Sequence, residues 1–247
     1  MISVITVLRG WQLTADFIVD DSRLLASPVG VAHELVEEWE FYWRNAKVTL
    51  WAAVRGFFFG SALGIALALV LTNWKRLEVL SVRVLTVIFA VPLVALAPIV
   101  RVIFDDRSPV ALAALGVFFP VVLATLVGLD SVDSAITDVV RILGGGRFRV
   151  LRRARIPAAV PSLFAGLRIA VPNALLGTVV IESLGAESGL GVLLIGAMAT
   201  LDTARAWAIG IVTAVMTALT FSLIARLGAL AAPWQSSESG SDLVAGV

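Results

Sequence analysis

The stretch "DVVRILGGGRFRVLRRARIP" runs from Asp138 to Pro157 and holds six arginines, three consecutive glycines and a closing proline. It lies inside a chain of 247 residues that is 59% hydrophobic. Guanidinium groups are costly in hydrocarbon, so a segment this basic marks a place where the chain leaves the apolar phase. On both sides of it the sequence turns apolar for about 20 residues, the length a helix needs to cross a bilayer core. The mean hydropathy of +0.97 describes the whole chain in the same way.

Working outward, five segments read as spans: Leu50–Thr72, Val84–Phe104, Pro109–Leu129, Ser162–Ser183 and Ala206–Leu230. Their apolar runs are continuous rather than alternating, which argues against a membrane β-barrel. The expected fold class is all-α, a polytopic membrane helical bundle. The opening residues, "MISVITVLRGWQLTADFIVD", are interrupted by Arg9, Gln12 and Asp16. They read as a poor sixth span, an interfacial helix or the remnant of a longer start. They lack the basic region and small-residue cleavage site of a signal peptide. The run Gly189–Leu201 is apolar but too short to span, which suits a half-buried or re-entrant element. The expected organisation is residues 1–49 as a weak span or interfacial helix plus an external amphipathic helix, 50–233 as the transmembrane domain with a cytoplasmic loop at 130–160, and 234–247 as a disordered polar tail.

Cytoplasmic loops carry excess Lys and Arg. With the Asp138–Pro157 stretch inside, alternation places ten basic residues inside (Lys75, Arg76, Arg83, Arg141, Arg147, Arg149, Arg152, Arg153, Arg155 and Arg226) and five outside (Arg23, Arg44, Lys47, Arg107 and Arg205). Trp51 and Trp207 then fall at outer span ends, and Trp74 and Trp234 at inner ends, as interfacial tryptophans do. Within the loop, Asp133 and Ser134 are helix-start signals and Gly144 is a helix stop. Ile136, Val139, Val140 and Leu143 recur at helical spacing and make one apolar stripe. The result is a short amphipathic helix of about ten residues, followed by a second short basic helix from about Arg147. Pro157 and Pro161 are expected to break the chain before the next span. On these residues alone two readings stand open: a helix lying on anionic lipid headgroups, or a knob that docks by its apolar face into a groove of a cytoplasmic partner.

The stretch resembles the "EAA" loop of binding-protein-dependent ABC importer permeases, in which E-A-A is followed after three residues by Gly and after nine more by I-x-L-P. Asp138, Val139 and Val140 stand for E-A-A, Gly144 has the required spacing, and Ala154, Arg155, Ile156 and Pro157 stand for I-x-L-P. The Gly and the Pro match; the first three residues and the Ile do not. The resemblance continues through "LLASPVGV", "VPLVALAPI", "FFPVVLATLVGLDSVD", "AGLRIAVPNALLGTVVIESLGAESGLG" and the final span, and is to the nitrate/sulfonate/taurine branch of type I importers. It implies that Ile136, Asp138, Val139, Val140, Leu143, Gly144, Arg147 and Pro157 form a coupling helix and its flank, seated in a separate ATPase. It further implies an ATP-binding cassette ATPase dimer that holds ATP and magnesium, a second permease copy (the same chain or a different one), an external solute-binding protein and a bacterial cytoplasmic membrane crossed several times.

Several polar or helix-bending residues fall inside the spans. Pro172 lies mid-span and removes a backbone hydrogen bond, and Asn173 adds an amide beside it. In relatives this pair is often Gly-Arg. Pro92 and Pro98 bend another span, Arg168 sits about a turn and a half into its helix, and Glu182 nears the outer edge. Together Pro92, Pro98, Arg168, Pro172, Asn173 and Glu182 are the candidate pathway residues. The bland readings are interhelix glue for Asn173, snorkelling for Arg168 and a solvated helix end for Glu182. The chain has no G-x-x-x-x-G-K-[ST] stretch, so ATP must be hydrolysed elsewhere. No cofactor, metal site or nucleic-acid partner is expected in it. The expected function is the permease subunit of an ATP-driven importer for a small organic solute such as a sulfonate or a vitamin-precursor heterocycle. An intramembrane enzyme fits poorly with no Cys and one His outside the spans. A self-sufficient secondary carrier would show internal repeats and buried ionisable relays.

Overall fold

The computed structural model describes residues 2–17, 26–72 and 74–234, and all regular structure among them is helical. The helices are α1 (Ile2–Phe17), α2 (Pro28–Glu37), α3 (Trp39–Leu71), α4 (Lys75–Phe89), α5 (Leu93–Phe104), α6 (Ser108–Asp130), α7 (Ser134–Ile142), α8 (Arg147–Val150), α9 (Ile156–Glu182), α10 (Leu190–Ala199) and α11 (Thr203–Ala231). Helix α6 is central, with α3 and α9 packed on two of its sides. Apolar side chains gain little by leaving lipid for one another, so helices in a bilayer associate through close backbone approach and dispersion. Small residues supply that approach here. Gly56, Gly60 and Gly64 form a ladder on α3, and a side chain at Gly60 would begin 2.9 Å from Val117 Cβ, and one at Gly64 2.9 Å from the Phe118 carbonyl. On the other side, Gly177 of α9 meets the Leu112 carbonyl at 3.0 Å from the same vantage. Ala53, Ala113, Val117, Val121, Ala170 and Ala174 fill the seam among the three helices.

Four stretches are long and apolar enough to cross a membrane: Trp39–Leu71, Leu93–Asp130, Arg147–Glu182 and Thr203–Ala231. The second of these folds back on itself. Asp105 adopts φ 45°, Leu93 packs toward Gly116, and Ala97 and Val100 sit on Leu112, so α5 runs antiparallel to α6. Among the described residues the long apolar stretches number four, against the five spans expected. The expected span Val84–Phe104 is not one helix but the end of α4 and all of α5, of 15 and 12 residues, separated at Ala90–Pro92. Pro92 has no N–H to continue α4 and disfavours the helical region for Val91. Phe89 stacks on Phe119 at 4.1 Å beside the break, so the broken element still follows α6 along its length.

Two further expectations change. The first long helix begins at Trp39, eleven residues before the expected Leu50. Pro157 and Pro161 do not break the chain. The helix runs from Arg147 to Glu182 through a wider turn at Leu151–Arg155, where the Ile156 N–H reaches back to the Leu151 carbonyl. Such a π turn takes up the register disturbed by the missing donor of Pro157. Helix α1 has 16 residues, short of a span. Trp11 fastens it, donating to the Ala26 carbonyl (2.9 Å) and packing on Trp207 at 4.7 Å. The re-entrant expectation for Gly189–Leu201 corresponds to the ten-residue α10. The expected disordered tail falls on residues 235–247, outside the described residues apart from Trp234.

Candidate functional site

Between α6 and α9 the loop builds a knob. The Asp133 carboxylate accepts from the Ala135 N–H (2.8 Å) and starts α7. The helix ends in a Schellman turn: Gly145 N–H donates to the Val140 carbonyl and Gly144 N–H to the Arg141 carbonyl, both at 2.9 Å, with Gly144 at φ +75°. Only glycine takes that conformation without strain. Thr137 is buried toward the bundle and Val140 half-buried, while Ile136, Val139, Ile142 and Leu143 are exposed. Ile142 is 84% and Leu143 76% exposed, so the apolar face points away from the protein that made it. Phe148 beyond the glycines is exposed as well. Asp138 pairs with Arg141 on the surface (3.3 Å), Arg147 is exposed at the start of α8, and Pro157 is exposed in the first turn of α9. The expected stripe is therefore present. Ile142 joins it, and Val140 turns partly inward.

At the other end of the bundle, Glu182 closes α9 with 1% exposure. Its Oε2 accepts from Thr49 Oγ1 (2.9 Å) and from the Gly191 N–H (3.0 Å). Thr49 Oγ1 in turn accepts from the Leu190 N–H (2.9 Å), and Asn45 Oδ1 accepts from the Gly189 N–H (3.0 Å). Three side chains thus satisfy the amides of Gly189, Leu190 and Gly191, the cap and first two residues of α10, which have no partner within the helix. Gly189 adopts φ +120°, and a side chain there would overlap the Glu182 carboxylate. Glu182 is accordingly not a solvated helix end. Asn45 and Thr49 were not anticipated, because the sequence places them ahead of the expected span. Nearby, Glu34 accepts from Tyr42 Oη (2.9 Å) and pairs with Arg205 (3.0 Å), joining α2, α3 and α11.

The candidate pathway residues do not converge in one chain. Pro92, Pro98 and Pro172 are exposed on three different segments. Asn173 is half-buried, with its carbonyl against Gly116 where Leu93 also closes in. The Arg168 Nη2 donates to the Ala225 carbonyl of α11 (3.1 Å), and its Nε is buried without a partner among the described residues. Of the six, Glu182 lines a large cavity, of about 970 Å³, between α3, the α5–α6 turn and the α9–α10 loop, at the end of the bundle opposite α7.

A helical bundle with a solvent-facing apolar knob between two long apolar helices matches a known family model over residues 60–234: the binding-protein-dependent transport system inner membrane component. The chain belongs to that family. Relatives of similar length surround it. A Bacillus subtilis protein named as an aliphatic sulfonates transport permease is 30% identical over 95% of this chain and 86% of its own. The formylaminopyrimidine transport permease of Halalkalibacterium halodurans is 29% identical over 92% of both chains. The riboflavin transport system permease of Chloroflexus aurantiacus is 29% identical over 96% of this chain and 90% of its own. A crystal structure of an amino acid ABC transporter with histidines shares the fold, with a TM-score of 0.63 at 17% identity over 81% of this chain and 96% of that one. The protein is a multi-pass membrane permease subunit of the ABC importer class, not an enzyme. Family membership also sets aside the secondary-carrier and intramembrane-enzyme readings.

Proposed function

We propose that this permease couples to a separate ATPase through α7, and that Ile136, Val139, Ile142 and Leu143 are the surface that enters the ATPase. The exposed apolar face of α7, cut to length by Gly144, carries this reading. A free-standing surface helix would turn that face toward the bilayer, whereas here the bundle side of α7 is Thr137 and Val140. Asp138, Arg141 and Arg147 flank the apolar face and supply charge for partner acids or bases. The ATPase dimer holds the ATP and magnesium, the importer contains two permease copies, and an external binding protein delivers the solute. The basic loop lies in the cytoplasm of a bacterial cell and the α9–α10 loop outside.

The solute is a small organic molecule, a sulfonate or a vitamin-precursor heterocycle, as the names of three relatives suggest. Its path runs past Asn173, where α5, α6 and α9 approach one another and the amide has no described hydrogen-bond partner. Pro98 and Pro172 each deprive the carbonyl four residues earlier of its helical donor along that route, and Pro92 breaks the helix there. Arg168 ties the middle of α9 to α11, and Glu182 fixes its end, beside that path. Co-expression with a candidate partner ATPase and purification through this chain tests the coupling: stoichiometric ATPase is expected, and its loss on changing Val139 and Leu143 to Asp. ATPase retained in full by that double variant would refute the docking surface.

A further inference from the structure

The outer cavity carries charges that the fold does not use. Of its basic residues, Arg101 is engaged with the fold, donating to the Asp105 carbonyl, Ser108 Oγ and the Gly185 carbonyl. Glu182 is engaged with Thr49 and Gly191 through Oε2, and its Oε1 is buried without a partner among the described residues. What remains is divided by wall. Arg44, Lys47 and Arg55 line it from α3, on one face at spacings of three and eight residues, with Trp51 between them. Asp106 lines it from the α5–α6 turn and Glu187 from the α9–α10 loop. None of these five has an ion-pair partner among the described residues. The cations are nonetheless held in place, because Arg44 sits over the Phe41 ring (5.8 Å), Lys47 over Trp43 (5.6 Å) and Arg55 over Trp51 (5.4 Å). Arg55 Nε also donates to the Trp51 carbonyl (3.3 Å), leaving its outer nitrogens free.

A cavity with a cationic wall and acidic groups on its other walls is complementary to a zwitterion, not to a simple anion. The flank of the cavity tells where that zwitterion comes from. Trp39, Trp43 and Trp51 are all exposed on the same α3 face, and exposed tryptophans in a membrane helix collect at headgroup level. We propose that the cavity binds an ammonium-bearing oxyanion, the ethanolamine phosphate headgroup of an outer-leaflet phospholipid, with phosphate against Arg44, Lys47 and Arg55 and ammonium against Asp106 and Glu187. A soluble aminoalkyl phosphate or sulfonate shares that chemistry. A primary ammonium donates hydrogen bonds to carboxylates, which a choline headgroup cannot do. A glycerol headgroup offers the acids no charge.

The test uses the full chain, purified and delipidated, with lipid binding followed by native mass spectrometry. Phosphatidylethanolamine should bind about tenfold more tightly than phosphatidylcholine or phosphatidylglycerol, the value of one charge-assisted contact. Lys47→Gln with Arg55→Gln should weaken all three lipids. Asp106→Asn with Glu187→Gln should weaken phosphatidylethanolamine more than phosphatidylcholine, whose ammonium meets the carboxylates by charge alone, and erase the preference for ethanolamine. Competition with soluble 2-aminoethyl phosphate separates the two sources: no displacement at millimolar concentration assigns the lipid, and displacement assigns a soluble solute at the same site. Equal binding of the three lipids by the wild type, or a preference that survives in the acid-to-amide variant, overturns the proposal. The coupling reading is untouched by any of these outcomes, since it is read from ATPase co-purification.

Discussion

Replacing Glu182 with Ala removes the acceptor that holds the start of α10. The Thr49 hydroxyl has a fallback, the Asn45 carbonyl at 3.3 Å, whereas the described bonds give the Gly191 N–H no other acceptor than Glu182. A buried donor left unpaired costs about 1–3 kcal/mol, and the lost side-chain packing adds to it. Removing a buried carboxylate returns part of its desolvation cost, so the expected net loss is about 2 kcal/mol. The steric contact with Gly189 gives a sharper signature. Gly189→Ala should destabilise by itself, through φ +120° and through overlap with the Glu182 carboxylate. In a Glu182→Ala background the overlap is gone and only the backbone strain remains. The two losses should therefore fall short of additive by about 1 kcal/mol, as contacting residues do in a double-mutant cycle. Unfolding by SDS in mixed micelles, followed by tryptophan fluorescence, measures all four species. Full additivity, or a Glu182→Ala chain as stable as the wild type, would refute this account of the outer loop.

Gly144→Val places a β-branched residue at φ +75°, at a cost of about 1–2 kcal/mol, and should uncouple ATP hydrolysis from uptake while the chain still inserts; normal uptake would count against the coupling role. Gly60→Val should destabilise the bundle by several kcal/mol in the same SDS titration, because its side chain would press on the Ala114 carbonyl and Val117; a change under about 0.5 kcal/mol would show that α3 and α6 are not in close contact. A Cys at Ser188 should react with impermeant maleimide in intact cells and one at Ser134 only after permeabilisation; the reverse pattern would invert the topology. Asn173→Leu should lower uptake with the ATPase still bound, and Asn173→Arg should shift preference toward anions; unchanged uptake kinetics in both would make Asn173 a packing residue.

Much of the α7 end of the bundle was legible because its signals are local. The cap at Asp133 and the stop at Gly144 are each decided within four residues and appear in the structure where the sequence puts them, and the apolar spacing from Ile136 to Leu143 appears with Ile142 added and Val140 turned partly inward. The opposite end was less legible because its determinants meet only after folding. Asn45, Thr49 and Glu182 are separated by up to 137 positions (182 − 45), and no spacing rule brings them together. The early start of α3 at Trp39 hid the first two, since Glu40, Arg44 and Lys47 depress hydropathy on the exposed face while Tyr42, Asn45 and Thr49 are buried on the other. The ladder of Gly56, Gly60 and Gly64 was in plain view at four-residue spacing, a pattern that signals close helix packing in membranes.

The prolines show why one local signal has two outcomes. Pro92 ends a helix, yet Pro157, Pro161 and Pro172 lie within one continuous helical run. The missing donor is the same at each, so the difference lies in what surrounds it. Helix α9 is gripped along its length by α6: Ala159 against Gly128, Gly166 against the Pro120 carbonyl and Asn173 against Gly116. Breaking α9 at any proline would open these contacts, and dispersion over such a seam exceeds the loss of one hydrogen bond. The disturbance is absorbed instead, at Pro157 by the wide turn at Leu151–Arg155. The α4–α5 element has no comparable seam. Around Pro92 it touches α6 only through Leu85, Phe89 and Leu93 at one edge, with the buried Ala97 and Val100 lying beyond the break, while Val84, Val87, Ile88, Val91 and Val94 are exposed. A break at Pro92 therefore costs few contacts, and the chain takes it. In a glycine-packed bundle a proline weakens every helix it enters, and the packing of its neighbours decides which one gives way.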